Sequence, residues 1–192
     1  MKILVIIISV LAGLFGFSQV ADNNDPLFGA RTGADIQVAG TGVNAGTSGA
    51  VLFIDSDIII KEGTIGQIVS DITEKNVGAV VGIYSKKHIH KSIASNYKNL
   101  HLRYTYLIMP DYIQITNGSC VGVRKNVFDY VGGFDQKIKI PCGEDWDFGN
   151  MIVLSGYKVY LDKKLEVLHN KNFTLIDILK TDFKKSFRMM KI

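Results

Sequence analysis

Two carboxylate pairs stand in contexts that ask for a ligand. The first is Asp55 and Asp57, placed between the apolar runs Val51-Leu52-Phe53-Ile54 and Ile58-Ile59-Ile60. The run is short, β-branched and aromatic, with glycines upstream, so it reads as a buried strand. A desolvated, unpaired carboxylate is costly, and a buried strand rarely carries two unless something binds them. Ligands of open α/β sheets sit at the carboxyl ends of strands. Asp-x-Asp at that place offers oxygens suited to a hard divalent cation. The competing reading is a turn whose aspartates cap a helix starting near Thr64. The second pair is Glu144 and Asp145, within Pro141-Cys142-Gly143-Glu144-Asp145-Trp146-Asp147-Phe148. Three acids and a tryptophan follow a glycine there, and an apolar helix is expected from Phe148 to Leu154. Acids in a first helical turn also complement the helix dipole, which explains them without a ligand.

A third group is basic. Lys86, Lys87, His88, His90 and Lys91 suit either a phosphate or a solvated loop. His88 and His90 have strand spacing with no third ligand close in sequence, which argues against zinc.

These groups need a scaffold, and the chain is long enough for one. At 192 residues it has the length of a single domain with a proper core. Its net charge of +4 is too small to argue for a nucleic-acid partner, and none is expected. Cys120 and Cys142 make no disulfide framework and are expected to be reduced. Residues 1–20 have an early lysine, an apolar run and small residues at Gly16 and Ser18. That is the layout of a signal peptide, or else of a first core strand from Ile3 to Ser9. Residues 21–48 are rich in Gly, Ala and Thr and read mainly as loop. Beyond residue 49 strands and helices alternate. Helices are expected over 63–75, from Ser92, and over 125–130 before Gly132-Gly133. Strands are expected over 77–84, over 112–123 with a break at Asn117-Gly118-Ser119, and at 158–161 and 165–168. Thr174 begins a basic amphipathic helix.

Taken in order, these residues resemble family 2 glycosyltransferases of the GT-A fold. The resemblance rests on Phe53-Ile54-Asp55-Ser56-Asp57, Asn117-Gly118-Ser119, Val131-Gly132-Gly133-Phe134-Asp135, Gly143-Glu144-Asp145-Trp146-Asp147-Phe148, Gly156-Tyr157-Lys158-Val159 and Val167-Leu168-His169. It covers residues 49–188. It implies an α/β, Rossmann-like, mostly parallel sheet flanked by helices, with the N-terminal donor-binding part absent or diverged. It implies transfer of a sugar from a nucleotide-sugar donor to a glycan or lipid-linked acceptor hydroxyl, with Mn2+ or Mg2+ as cofactor. Asp55 and Asp57 would bind the donor and the metal, His169 would complete the metal site, and Asp145, with Glu144, would be catalytic. Asn117, Gly118 and Trp146 would meet the acceptor. The C-terminal helix would rest on the cytoplasmic face of a membrane, the alternative being export by the leader-like segment. A non-catalytic fragment acting as a binding module is the other reading. Two departures from the family stand out. Residues 1–48 show no match to its opening strands, and Met151 occupies the place of an arginine.

Overall fold

The computed structural model describes residues 3–9, 49–135 and 143–189. The 21–48 segment and Cys142 therefore lie outside the described residues. The elements run β1 (Ile3–Ser9), β2 (Gly49–Asp55), β3 (Ile58–Ile59), α1 (Thr64–Glu74), β4 (Ala79–Tyr84), α2 (Ile93–Leu107), β5 (Tyr112–Ile113), β6 (Cys120–Arg124), α3 (Lys125–Val131), α4 (Glu144–Leu154), β7 (Val159–His169) and α5 (Leu175–Met189). Among the described residues they form a mixed α/β fold whose strands lie in the order β1-β2-β6-β4-β7-β3, with β5 also on β7.

β2, β4 and β7 run in one direction, as the expected parallel sheet requires. β6 is inserted antiparallel between β2 and β4, so side-by-side pairing is parallel only at β4–β7. The inversion has a use. β6 starts where β2 ends, with Cys120 opposite Ile54, and this sets Asn117-Gly118-Ser119 beside the carboxyl end of β2.

Both faces of the sheet are buried, which is why its strands read as continuous apolar runs rather than as alternation. Along β2, Val51 and Phe53 face one core with Phe128, Phe148 and Ile152. Ala50, Leu52 and Ile54 face the other, with Ile68 and Ile72 of α1. Phe53 packs its ring against Phe134 at 5.1 Å and Phe128 at 5.5 Å between centroids. Phe134 and Phe148 meet at 4.3 Å. This aromatic cluster underlies the end of β2.

Several local expectations change. Asp55 and Asp57 do not cap α1, whose N-cap is Gly63 in the left-handed region at φ 82° with no side-chain cap bond. α4 starts at Glu144 rather than Phe148, because Gly143 at φ 96° turns the chain into the helix and the acids suit its first turn. The two short strands expected at 158–161 and 165–168 are one strand, β7. Its pairing with β4 shifts register between Val81 and Ile83, and the Lys164 N–H donates to Asp162 Oδ1 at 2.8 Å across the irregularity. Ser92 caps α2, accepting from the Ser95 N–H at 3.1 Å. Thr174 and Asp177 form a reciprocal capping box at the start of α5. Cys120 is buried with a free thiol that burial pushes up to about 12, so it is held unreactive.

α1 packs on β6 only because residue 122 is glycine. A Cβ there would fall 2.1 Å from Ile68 Cγ2. Gly122→Ala is therefore expected to lower stability by about 1–3 kcal/mol, the usual range for overpacking. An unchanged urea midpoint would show that α1 does not bear on β6 at this point.

Candidate functional site

Asp55 is the last residue of β2 and continues the alternation of Val51 and Phe53, so it emerges on the α4 side of the sheet. There it meets Gly118 and Asp145. A Cβ on Gly118 would stand 3.4 Å from both carboxylate oxygens of Asp145 and 3.6 Å from Asp55 Oδ1. The absent side chain of Gly118 is what leaves space between the two carboxylates. Asp145 is held there through its backbone. Its carbonyl accepts from the Thr116 N–H at 3.1 Å and from Thr116 Oγ1 at 2.7 Å. The α4 helix can come this close to the 114–116 segment because residue 149 is glycine. A Cβ at Gly149 would lie 2.6 Å from Ile115 Cα and 2.7 Å from the Gln114 carbonyl.

The charges at this end of the sheet are unevenly balanced. Asp55 Oδ1 is buried and makes no hydrogen bond. Burial, then the neighbouring charges of Asp57 and Asp145, push the Asp55 carboxyl from 3.8 up to about 7. Burial also pushes Asp57 upward, but its neighbours outweigh it and hold the carboxyl below its usual range. Those neighbours are His169, with Nε2 at 3.7 Å from Asp57 Oδ2, and Lys171, with Nζ at 3.3 Å. The two aspartates thus differ: Asp57 stands against the His169 imidazole and the Lys171 ammonium, and Asp55 stands mainly against other carboxylates.

His169 ends β7 directly opposite Ile58, so the short strand after the aspartates brings it in. It is 4 % exposed, stacks on Tyr84 at 4.7 Å and meets His88 edge-on at 6.1 Å. Its Nδ1 is buried without a hydrogen bond. The 86–91 loop closes over the same edge. His90 Nε2 lies 3.1 Å from Asn170 Oδ1, and the Asn170 N–H donates to the Asp57 carbonyl at 2.7 Å. Part of the basic loop therefore adjoins Asp57.

The structure brings Asp55, Asp57, Gly118, Asp145 and His169 to one end of the sheet. Asn117 is next to them, its Oδ1 accepting from the Ser119 N–H at 3.2 Å. Glu144 and Asp145 part company: Glu144 is 3 % exposed, while Asp145 is half-buried. Trp146 is 51 % exposed on the first turn of α4. Among the described residues, no group of three or more His, Cys, Asp or Glu side chains is gathered so as to hold a metal ion. Asp57 stands with His169, and Asp55 faces Asp145 instead. Sequence reasoning passed over Lys171, Tyr84, Thr116 and Gly149. Only Gly149 left a trace, as a glycine inside an apolar helix pattern.

A family model for glycosyl transferase family 21 matches residues 40–183. The chain belongs to glycosyl transferase family 21. The match takes in both carboxylate pairs, Gly118, His169 and much of α5. Glycosyltransferase membership was the expectation from sequence, and the matching family is 21 where the resemblance named family 2. No curated protein is significantly similar to the chain. Among solved structures, the mannosyltransferase PcManGT from Pyrobaculum calidifontis, in complex with GDP-Man and Mn2+, is similar at a TM-score of 0.43 and 15 % identity. The similarity covers 70 % of this chain and 38 % of that one, so the chain spans well under half of that protein's length.

The raised Asp55 carboxyl makes a stability prediction. Its folded pKa, about 7, lies above the ordinary 3.8, so its contribution to stability is greatest below 3.8 and is lost as pH rises through 7. Asp55→Asn removes the charge at similar size. At pH 8 the variant is expected to melt higher than the parent, and the gain should vanish as the pH approaches 4. A variant that melts lower at pH 8 would show that the Asp55 charge is already compensated.

Proposed function

We propose that this chain carries the catalytic site of a metal-dependent glycosyltransferase. It would move a sugar from a nucleotide-sugar donor to a hydroxyl of a glycan or lipid-linked acceptor. The observation that carries this reading is the unpartnered, buried oxygen of Asp55, facing the Asp145 carboxylate across Gly118 in a family 21 chain.

The residue types at this end of the sheet suit a divalent cation, although the described side chains are not gathered into a ligand set. A carboxylate oxygen with no hydrogen bond, hemmed in by two more carboxylates, is stabilised by a nearby positive charge. Asp55 and Asp57 would hold Mn2+ or Mg2+ together with donor phosphate oxygens, and His169 is the nearest imidazole to that pair. A bound cation would supply charge neutralisation for the departing nucleoside diphosphate. Lys171, beside Asp57, adds a fixed positive charge on the same side.

Asp145 is the acceptor-side base in this reading. It is in the first turn of α4, whose positive end favours the ionised form. It accepts the proton of the acceptor hydroxyl as the hydroxyl oxygen bonds to the anomeric carbon and the carbon–phosphate oxygen bond breaks. Gly118 leaves room for the acceptor between Asp145 and the donor side, and Asn117 and the exposed Trp146 line its approach. Glu144, beside Asp145 in the same turn, is buried. Catalysis at the cytoplasmic face of a membrane follows from the cytosolic supply of nucleotide sugars. α5, basic and amphipathic, would rest on that surface; among the described residues no helix is long and apolar enough to cross a membrane. A non-catalytic binding module is the competing reading. Met151, half-buried against the core where the family resemblance expects an arginine, is the residue that favours it.

Mn2+ with a nucleoside diphosphate is expected to raise the melting temperature of the parent by mass action, a gain of about 2.7 kcal/mol at a hundredfold excess over Kd. Asp57→Ala should abolish that shift and leave the fold intact. No shift in the parent with any nucleotide would favour the binding module. In a transfer assay, Asp145→Asn is expected to retain the Mn2+ and nucleotide shift while the rate falls by roughly a hundredfold or more. A silent Asp145→Asn would remove Asp145 from the mechanism.

A further inference from the structure

Exposed large apolar side chains gather on α2 and α5. On α2, Ile93 is 88 % exposed, Tyr97 58 % and Tyr104 61 %, with Leu100 and Leu107 also exposed. Their spacing of three and four residues makes one stripe along the helix. On α5, Leu175, Ile176, Leu179, Phe183 and Phe187 are all exposed, Phe183 by 75 %. Stripes of this kind on a folded domain mark a surface that meets another apolar phase.

The two stripes open to the same side. α2 and α5 lie beside one another and point the same way. Ala94 packs with Ile178 and Phe173 in one small cluster, and one turn further along Lys98 Nζ meets Asp182 Oδ1 at 2.5 Å. At about 100° per residue, the α2 stripe lies about 120° anticlockwise from this contact line, viewed from the N-termini. The α5 stripe lies about 110° clockwise from it. For two parallel helices side by side, both stripes then open to the same side of the pair. The buried Ser95 and Asn99 fall on the opposite side of α2, toward the sheet.

We infer that α2 and α5 together form one docking plane for an anionic lipid bilayer. This deepens the membrane contact proposed above, which rested on α5 alone. Charge complementarity selects the partner. No Asp or Glu occurs between Glu74 and Asp111. In that stretch Lys86, Lys87 and Lys91 are exposed, while Lys98 and Arg103 are paired with Asp182 and Glu166. The two acids of α5 are both engaged, Asp177 with Thr174 and Asp182 with Lys98. Lys91, Lys180 and Lys184 stand exposed around the plane. Tyr97 and Tyr104 are amphipathic rings of the type that lodges at a bilayer interface. The plane also has the right place. α2 follows the loop that carries His90, which meets Asn170, and α5 follows Asn170 and Lys171, which both contact Asp57. Docking through both helices would set the carboxylate end of the sheet beside the lipid surface, within reach of a lipid-linked acceptor.

The test is vesicle binding by the full chain, with phosphatidylcholine vesicles and with vesicles containing phosphatidylserine. The parent is expected to bind the anionic vesicles and to be released by salt. The combined variant Ile93→Ser, Tyr97→Ser and Tyr104→Ser should lower partitioning by about tenfold or more with an unchanged melting temperature. If that variant folds poorly, single tryptophans introduced by Tyr97→Trp and by Phe183→Trp, each in a Trp146→Phe background, decide the matter. Both should be quenched by brominated lipid. Quenching at position 183 alone, or parent-like binding by the folded triple variant, would overturn the α2 contribution and leave α5 in place. No binding by the parent, equal binding to neutral vesicles, or a stable dimer that masks both stripes in sedimentation would overturn the docking plane altogether. None of these outcomes bears on the glycosyltransferase reading, which stands or falls by the Mn2+ and nucleotide shift.

Discussion

A carboxylate whose buried oxygen makes no hydrogen bond, and which faces mainly other carboxylates, is the constraint around which this domain is arranged. Asp55 sits at the end of a central strand, with Asp57 two residues on and Asp145 across Gly118. Left to themselves these groups would move apart. They are kept together by elements that cannot easily yield. β2 is clamped by neighbours on both sides, the Phe53, Phe128, Phe134 and Phe148 rings pack beneath its end, and Thr116 and Gly149 fasten α4 to the 114–116 segment. Asp57 escapes the same penalty because the strand after it recruits His169 and Lys171. One aspartate is thus prepared in its ionised form, and the charge of the other is held at a cost that a proton or a cation would offset.

Much of this was legible in the sequence. The strand ending in Asp55 announces itself by an apolar run too continuous for a one-sided sheet. The glycine before Glu144 and Asp145 marks a helix entry, and Ser92 and Thr174 cap the helices they precede. What the sequence hid was long-range. Nothing near His169 indicates that it will lie opposite Ile58, since that depends on how the long β7 passes the edge of the sheet. The Lys171 contact follows from the same crossing. Gly118 reads as part of a turn, and only the inverted β6 turns it into the space between two carboxylates. The split of Glu144 from Asp145, one buried and one half-exposed, likewise depends on the angle at which α4 meets the 114–116 segment. The irregularity at 162–164 made β7 look like two strands, because its charged residues interrupt an otherwise apolar pattern.

The exposed stripes of α2 and α5 tell of a second constraint. Each helix buries one side against the sheet or its neighbour, yet each keeps large apolar side chains outside. A domain that met only water would gain little from Ile93 or Phe183 in those places. The fold itself fixes the striped side and the carboxylate end relative to one another. In the proposed reading, the same sheet would serve the chemistry at its end and the orientation of that end toward a bilayer.

The central claim concerns the charge on Asp55, and a carboxyl carbon NMR titration reads it directly. Asp55, assigned through Asp55→Asn, is expected to titrate near 7 in the metal-free chain. On adding Mg2+ with a nucleoside diphosphate, its midpoint should fall below that of an ordinary aspartate. An Asp55 that titrates as an ordinary aspartate without metal, and does not move when metal and nucleotide are added, would contradict the account.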